Sequence, residues 1–562
     1  MRHGTMHRSL LATLLVGGLA CSSGGTGTSE GSGGSSSEGG SPGSGGESAT
    51  GGRSATGGST ATGGSTATGG HTASGGSPGT GGAVSTGGNT GSGGGPATGG
   101  TTGSGGHLGT GGNPSTGGSP GTGGGAPGTG GSTSGTGGST SGTGGAGGTY
   151  VGTKTPGTAQ TGDIKVDPTK TYQVVDGFGQ ADVWQGSSST AMQTLLFDPV
   201  NGIGLNLLRI GIESASGTSV LMGNAAIADG QACVKYAGSA CKVWAAPWSP
   251  PANMKNNNNV NGGGSNNTLM TSDYTAWANL LAAFPALYKK QSGVDLYALS
   301  AQNEPDFNAT YEACLFDKNQ MASWIDVLGP KLAALNPPVK VLAAEPDNWG
   351  NLWGGDDYGP AIIADSAANM YVGPIATHDY GNTSAGTYAR PAPPSNNTHH
   401  VWETECTPGD TGPITTATMI YAAFATGGVS AWHYWWTESL VPNNNTSNPP
   451  PQVYAIGNFS KFVKAGYYRV DVSGAPTPSG SAPLVVAFTN LQDGTVSIVV
   501  VNGGGAQQVS FFVSGTAWPA SVTPYVTTTS SKLAAGTPIT LSGARFSASL
   551  AAQSVTTFVG KP

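Results

Sequence analysis

From about residue 174 to 465 the chain alternates short apolar runs with longer segments whose apolar residues recur every three or four positions. The runs are 174–179, 205–212, 242–246, 296–302, 339–344, 375–378, 400–404 and 429–436, and stretches such as 274–290 and 321–335 between them carry the helical period. Eight strands separated by helices predict an α/β fold, a (β/α)8 TIM barrel over residues 161–465, with its chemistry at the face where the strands end. After Gly466 the period changes to two, as in Thr495-Val496-Ser497-Ile498-Val499-Val500-Val501 and Ser554-Val555-Thr556-Thr557-Phe558-Val559. That alternation, broken by Gly, Pro and Ser turns, predicts a β-sandwich side domain over 466–562. A further strand at 163–173 precedes the barrel and would fuse the sandwich to it.

Neither pattern exists upstream. Residues 1–20 carry basic residues and then an apolar run that is too short to span a membrane, the signature of a signal peptide. Cys21 follows Gly18-Leu19-Ala20, similar to a bacterial lipobox, so Cys21 is the expected lipid-anchor site of a secreted or cell-surface lipoprotein. Residues 21–160 are almost wholly Gly, Ser and Thr and offer little apolar surface to offset the entropy of ordering. They read as a flexible tether, about 60 Å in root-mean-square span by Gly-rich chain statistics. All twelve tryptophans lie beyond it.

The formal charge of -7 provides no basic stripe, which argues against a nucleic-acid partner. Apart from Cys21 there are four cysteines, an even number in an exported chain. Proximity favours Cys233 with Cys241, leaving Cys314 with Cys406. No Cys-x-x-Cys or His-x-x-His spacing occurs, so no metal site is expected.

Two apolar runs end abruptly in carboxylates: Leu299-Ser300-Ala301-Gln302-Asn303-Glu304-Pro305-Asp306 and Val401-Trp402-Glu403-Thr404-Glu405. Acids delivered from two strand ends to one mouth are the minimum machinery for cleaving a glycosidic bond with retention. Glu304 is the candidate general acid, held extended by Pro305 and kept protonated by a less polar setting, with Asn303 placed to bind a sugar hydroxyl. Glu405 is the candidate nucleophile. Glu403, two residues away, should share its strand face, with Arg209 as the partner of these acids. His378 and Tyr380 end the sixth run, Tyr380 to hold the nucleophile and His378 to contact sugar hydroxyls. Trp184, Trp248 and Trp435 are candidate platforms for stacking on sugar rings, and Trp248 and Trp435 fall where loops leave the mouth.

These residues converge on a known pattern. Asp176-Gly177-Phe178-Gly179, Leu208-Arg209-Ile210, Trp244-Ala245-Ala246-Pro247-Trp248-Ser249-Pro250-Pro251, Gln302-Asn303-Glu304-Pro305-Asp306 and Trp402-Glu403-Thr404-Glu405, in that order, resemble glycoside hydrolase family 30, the branch of bacterial endo-xylanases. The resemblance covers about residues 163–560. It implies Glu304 as acid/base, Glu405 as nucleophile, no cofactor, a β-linked polysaccharide as partner, a monomer, and a non-proline cis peptide near Trp435-Trp436. Glucuronate-dependent members carry an arginine soon after that Trp-Trp pair, whereas this chain has Thr437-Glu438-Ser439-Leu440 there. The expectation is therefore an endo-β-1,4-xylanase without glucuronate dependence. The alternatives are an endo-β-1,6-glucanase or galactanase of the same family, or a polysaccharide-binding lipoprotein that lacks activity.

Overall fold

A computed structural model describes residues 150–214, 224–382 and 386–562. The expected signal peptide, Cys21 and most of the expected tether lie outside the described residues. Among those described, no helix is long and apolar enough to cross a membrane.

Eight parallel strands close into the expected barrel: β2 (Gly177–Ala181), β3 (Leu207–Ile212), β4 (Lys242–Pro247), β5 (Leu296–Ser300), β6 (Lys340–Ala344), β7 (Val372–His378), β8 (Val401–Glu405) and β9 (Ala431–Tyr434), with β9 pairing back to β2. Leu207, Trp244, Ala298, Leu342, Ala376 and Trp402 fill the pore, and a larger apolar layer lies between the strands and the surrounding helices. Mixing two indoles with alanines lets facing side chains interdigitate at interior density. Gly177 shows why the barrel opens on a glycine. Its φ is +141°, and a Cβ there would come within 1.9 Å of Asn206 Oδ1, the atom that accepts from Phe178 N–H.

The expected side domain forms from both ends of the described chain. The strands are β1 (Ile164–Val174), β10 (Tyr468–Ser473), β11 (Leu484–Thr489), β12 (Val496–Asn502), β13 (Gln507–Val513), β14 (Ser521–Thr527), β15 (Ala534–Ala535), β16 (Ile539–Thr540), β17 (Arg545–Leu550) and β18 (Ser554–Gly560). They make one ten-stranded sheet in which β1 pairs antiparallel with β10 and parallel with β13. The sheet curls until Phe511 of β13 and Phe558 of β18, far apart in strand order, stand 5.7 Å apart across a shared core. Leu484, Val486 and Phe488 turn the other way and join the barrel's apolar layer, with Phe424 5.5 Å from Phe488. At about 25 cal/mol per Å2, such shared burial fixes the side domain to the barrel.

Among the described residues one disulfide, Cys233–Cys241, is present. The second expected pair is not: Cys314 and Cys406 are buried free thiols. Cys406 lies against Glu403 and Asp379, whereas Cys314 lies near Lys255 and Tyr274, so the two thiols face different surroundings. The non-proline cis bond is also elsewhere, at Ala343–Ala344. Trp436 has an ordinary extended backbone, and its indole N–H still reaches Val183 O at 2.9 Å, so the ring is placed without an unusual peptide link.

Candidate active site

Glu304 and Glu405 reach the same pocket from the ends of β5 and β8. Both are nearly fully buried, and a carboxylate oxygen of each, together with a His378 ring nitrogen, lies within 4.8 Å of the others. That spacing is close to the roughly 5–5.5 Å of retaining glycosidases and well short of the roughly 6.5–9.5 Å that leaves room for an inverting water.

Glu405 is gripped from three sides. Arg209 Nη1 donates to its Oε2 in a very short bond, Tyr380 OH donates to Oε1 at 2.6 Å, and His378 Nε2 lies 3.6 Å from Oε2. Burial pushes Glu405 above the ordinary carboxylate range, and His378 and then Arg209 limit the rise. Arg209 Nη2 donates to Asn303 Oδ1 at 2.5 Å and lies 3.3 Å from Glu345. Its guanidinium sits 4.8 to 5.6 Å from the rings of Trp248, Trp244 and Trp435, a setting that favours arginine over lysine.

Glu304 receives Asn303 Nδ2 at 3.4 Å and Tyr311 OH at 3.3 Å, and His378 Nδ1 lies 3.2 Å from its Oε1. Its backbone is not extended as the following proline suggested. With φ at +44° it turns, so that Glu304 N–H donates to Glu345 O and Phe307 N–H donates to Glu304 O, both at 3.1 Å. Strain of this kind persists where surrounding structure over-determines it.

Glu403 does not share the pocket. Between β7 and β8 the register steps from Thr377↔Glu403 to His378↔Glu405, so β8 carries an extra residue there. Trp402 faces the pore, Glu403 faces the helices, and this bulge returns Glu405 to the pore. Glu403 instead accepts from Trp349 Nε1 at 3.1 Å, has no contact with Arg209, and is pushed well up by burial and by Asp379. The Arg209–Glu403 pairing is thus replaced by Arg209–Glu405. His378 is likewise not a free sugar-binding group: it is fully buried with carboxylates at both ring nitrogens. Burial opposes its charge, but Glu405, Glu304 and Glu345 outweigh that and carry it up to about 10. Asp379, between His378 and Tyr380, accepts two bonds from buried Arg390 at 2.6 and 2.9 Å, which anchors this loop.

The tryptophans gather beside the acids. The rings of Trp184 and Trp248 are 4.8 Å apart and those of Trp248 and Trp435 are 6.1 Å apart, with Trp184 only partly buried. Two participants went unread in the sequence. Tyr311 has no motif to announce it. Glu345 does, because Val341-Leu342-Ala343-Ala344-Glu345-Pro346-Asp347 repeats the apolar run and Glu-Pro-Asp ending of β5. Among the described residues, Glu304, His378 and Glu405 form the one group spaced closely enough to bracket a cation. Arg209 and the imidazole already supply positive charge there.

Comparisons with known proteins agree with this geometry. The glycosyl hydrolase family 30 TIM-barrel domain profile matches residues 226–409. The glucuronoxylanase XynC of Bacillus subtilis (strain 168) is 28% identical over 411 residues, covering 71% of this chain and 91% of that protein. The family 30 subfamily 8 xylanase Xyn30A from Clostridium acetobutylicum superposes with a TM-score of 0.61 at 29% identity, over 72% of this chain and 100% of that one. A family 30 endoxylanase from Clostridium papyrosolvens gives 0.58 at 27% identity, over 71% and 100%. A closed barrel with a side sheet, two acids at its mouth and these similarities lead to one conclusion: residues 226–409 carry a glycosyl hydrolase family 30 TIM-barrel domain, and the chain is a glycoside hydrolase similar to the retaining glycosidases of that family.

Proposed function

We propose that the chain is an endo-β-1,4-xylanase that does not require glucuronate side groups, with Glu304 as acid/base and Glu405 as nucleophile. The observation that carries this reading is the pair of buried carboxylates whose oxygens approach within 4.8 Å at the barrel mouth. Glu304 protonates the glycosidic oxygen while Glu405 attacks the anomeric carbon. Water then enters, loses its proton to Glu304 and releases the sugar from Glu405. Asn303 presents its amide beside the acid for a sugar hydroxyl. Trp184, Trp248 and Trp435 supply apolar faces for the rings.

Relatives named xylanase and glucuronoxylanase support xylan as the substrate. The independence from glucuronate is supported by the segment after Trp436, a short helix (Thr437–Leu440) bearing partly buried Glu438. No arginine occurs between Trp436 and Arg469, and Arg469 lies in β10 stacked on Tyr172 at 3.8 Å. A glucuronate branch would therefore meet no bidentate cation there. The pattern of the N-terminal segment supports export and a tethered, lipid-anchored protein at the surface of a bacterial cell.

The test is reducing-sugar release from linear arabinoxylan, glucuronoxylan, β-1,6-glucan and β-1,6-galactan, with Glu304→Gln and Glu405→Gln as controls. Comparable turnover of the two xylans supports the reading. A strong preference for glucuronoxylan, turnover confined to β-1,6-glycans, or binding without turnover would each overturn it.

A further inference from the structure

We propose that Glu345 is a positioning residue for the hydrolytic centre: its carboxylate holds Arg209 and His378 in place against Glu405 and Glu304. This deepens the proposed function and rests on it.

Adjacent strands β5 and β6 end in the same tripeptide, Glu304-Pro305-Asp306 and Glu345-Pro346-Asp347, and both glutamates have positive φ, +44° and +60°. The two turns are stitched together. Glu304 N–H donates to Glu345 O at 3.1 Å, and Asp347 N–H donates to Asp306 Oδ1 at 3.0 Å. The duplicated turn therefore delivers two carboxylates to one place, but their surroundings divide their roles. Glu304 is at the pocket, 7% exposed, while Glu345 is at 0%. Substrate can reach the first and not the second.

Glu345 spends one oxygen on two groups that touch the reacting acids and the other on an anchor to β5. Oε1 lies 3.3 Å from Arg209 Nη2 and 3.4 Å from His378 Nε2, and Oε2 accepts a very short bond from Ser300 on β5. Holding Nη2 turns the rigid guanidinium fork so that Nη1 points at Glu405. Holding Nε2 turns the imidazole so that Nδ1 points at Glu304. An ionised carboxylate only accepts hydrogen bonds, so a ring facing carboxylates at both nitrogens is best served by a proton on each. Three buried carboxyl groups then surround two cations. With Glu304 in its protonated form the charges cancel, and without Glu345 they leave one positive charge in excess.

The consequence falls on the proton transfer. When Glu304 gives its proton to the departing oxygen, a new carboxylate appears 3.2 Å from His378 Nδ1, and an imidazolium there stabilises it. The groups facing the ring are Glu304 from the end of β5, Glu345 and Asp347 from the β6 turn, Glu405 from β8, Arg209 from β3 and Tyr380 from its own loop. Glu345 is held below the ordinary carboxylate range: burial opposes this, but Arg209, His378 and Ser300 outweigh it.

The test combines a titration that needs no substrate with kinetics. His378 is followed by NMR in histidine-labelled wild type and in Glu345→Gln, and kcat and KM are measured on whichever panel glycan is cleaved. We expect His378 to stay charged through neutral pH in the wild type and its midpoint to fall by about one to three pH units in the variant. We also expect kcat to fall by up to about 100-fold with KM little changed. An unchanged His378 midpoint, or a loss of stability with unchanged kcat, would overturn the proposal. If the variant fails to fold, a wild-type His378 that is already neutral at pH 7 overturns it, and a charged one supports it. If no glycan is cleaved but His378 behaves as stated, the substrate assignment fails and the positioning role stands.

Discussion

Replacing Arg209 with methionine removes one cation from a site that is fully buried and leaves the volume nearly filled. Arg209 faces Glu405 through a very short bond, Asn303 at 2.5 Å and Glu345 at 3.3 Å. At 3.3 Å and an effective dielectric constant near 20, a single such ion pair is worth roughly 5 kcal/mol before desolvation. Since the partners stay buried when the arginine goes, the cost of breaking it should be about 3–5 kcal/mol. Part of that appears as stability, read from the urea midpoint. The rest appears in catalysis, with a definite sign. Burial already raises Glu405 and Arg209 restrains it, so losing the cation makes the carboxylate harder to ionise. The acidic limb of the kcat/KM profile, which reports the ionised nucleophile, should therefore move to higher pH by about one to three units. An acidic limb at the same pH in the folded variant would refute the claim that Arg209 keeps the nucleophile charged.

Tyr380→Phe deletes the 2.6 Å bond to Glu405, and because that bond is charge-assisted kcat/KM should drop by about 1.5–3 kcal/mol, or roughly 10- to 150-fold; a loss below twofold would remove Tyr380 from the site. Away from the site, Asp182 and Asp229 face one another in the interior, and among the described residues neither Asp182 oxygen has a hydrogen-bond partner. Burial raises Asp182 well above the ordinary range and raises Asp229 to about 6, above its value of 3.8. A folded-state value above the unfolded one means that the contribution of this pair to stability is greatest below about pH 4 and is lost as pH rises through about 6, by about 3 kcal/mol for Asp229 alone. Asp182→Asn should raise the denaturation midpoint at pH 7–8 and flatten that slope; equal slopes in the two proteins would show that the pair does not titrate on folding.

Strand positions were legible because a buried barrel strand needs an uninterrupted apolar run, and Glu304 and Glu405 were legible because each run stops at a carboxylate. The same logic exposes Glu345 once the Glu-Pro-Asp ending is seen to occur twice. Glu403 misled because alternation along a strand is a rule of parity, and one extra residue in β8 reverses it without leaving a Gly or Pro in Trp402-Glu403-Thr404-Glu405-Cys406. Tyr311 and the separate surroundings of Cys314 and Cys406 depend on how loops fold back over the mouth. Lys255 shows the kind of tie involved: nearly fully buried, its ammonium donates to Val260 O at 3.0 Å and Ala313 O at 2.6 Å, joining two loops distant in sequence. Local pattern carries no trace of such contacts.

The central claim, that Glu405 forms the covalent intermediate and Glu304 moves the proton, is tested most directly by trapping. An activated 2-deoxy-2-fluoro-xylobioside slows both steps but leaves a good leaving group for the first, so the glycosyl-enzyme accumulates and its peptide can be read by mass spectrometry. The account predicts a single label on Glu405, retained in Glu304→Gln because the activated leaving group needs no acid. A label on Glu304, Glu345 or Glu403 would contradict it.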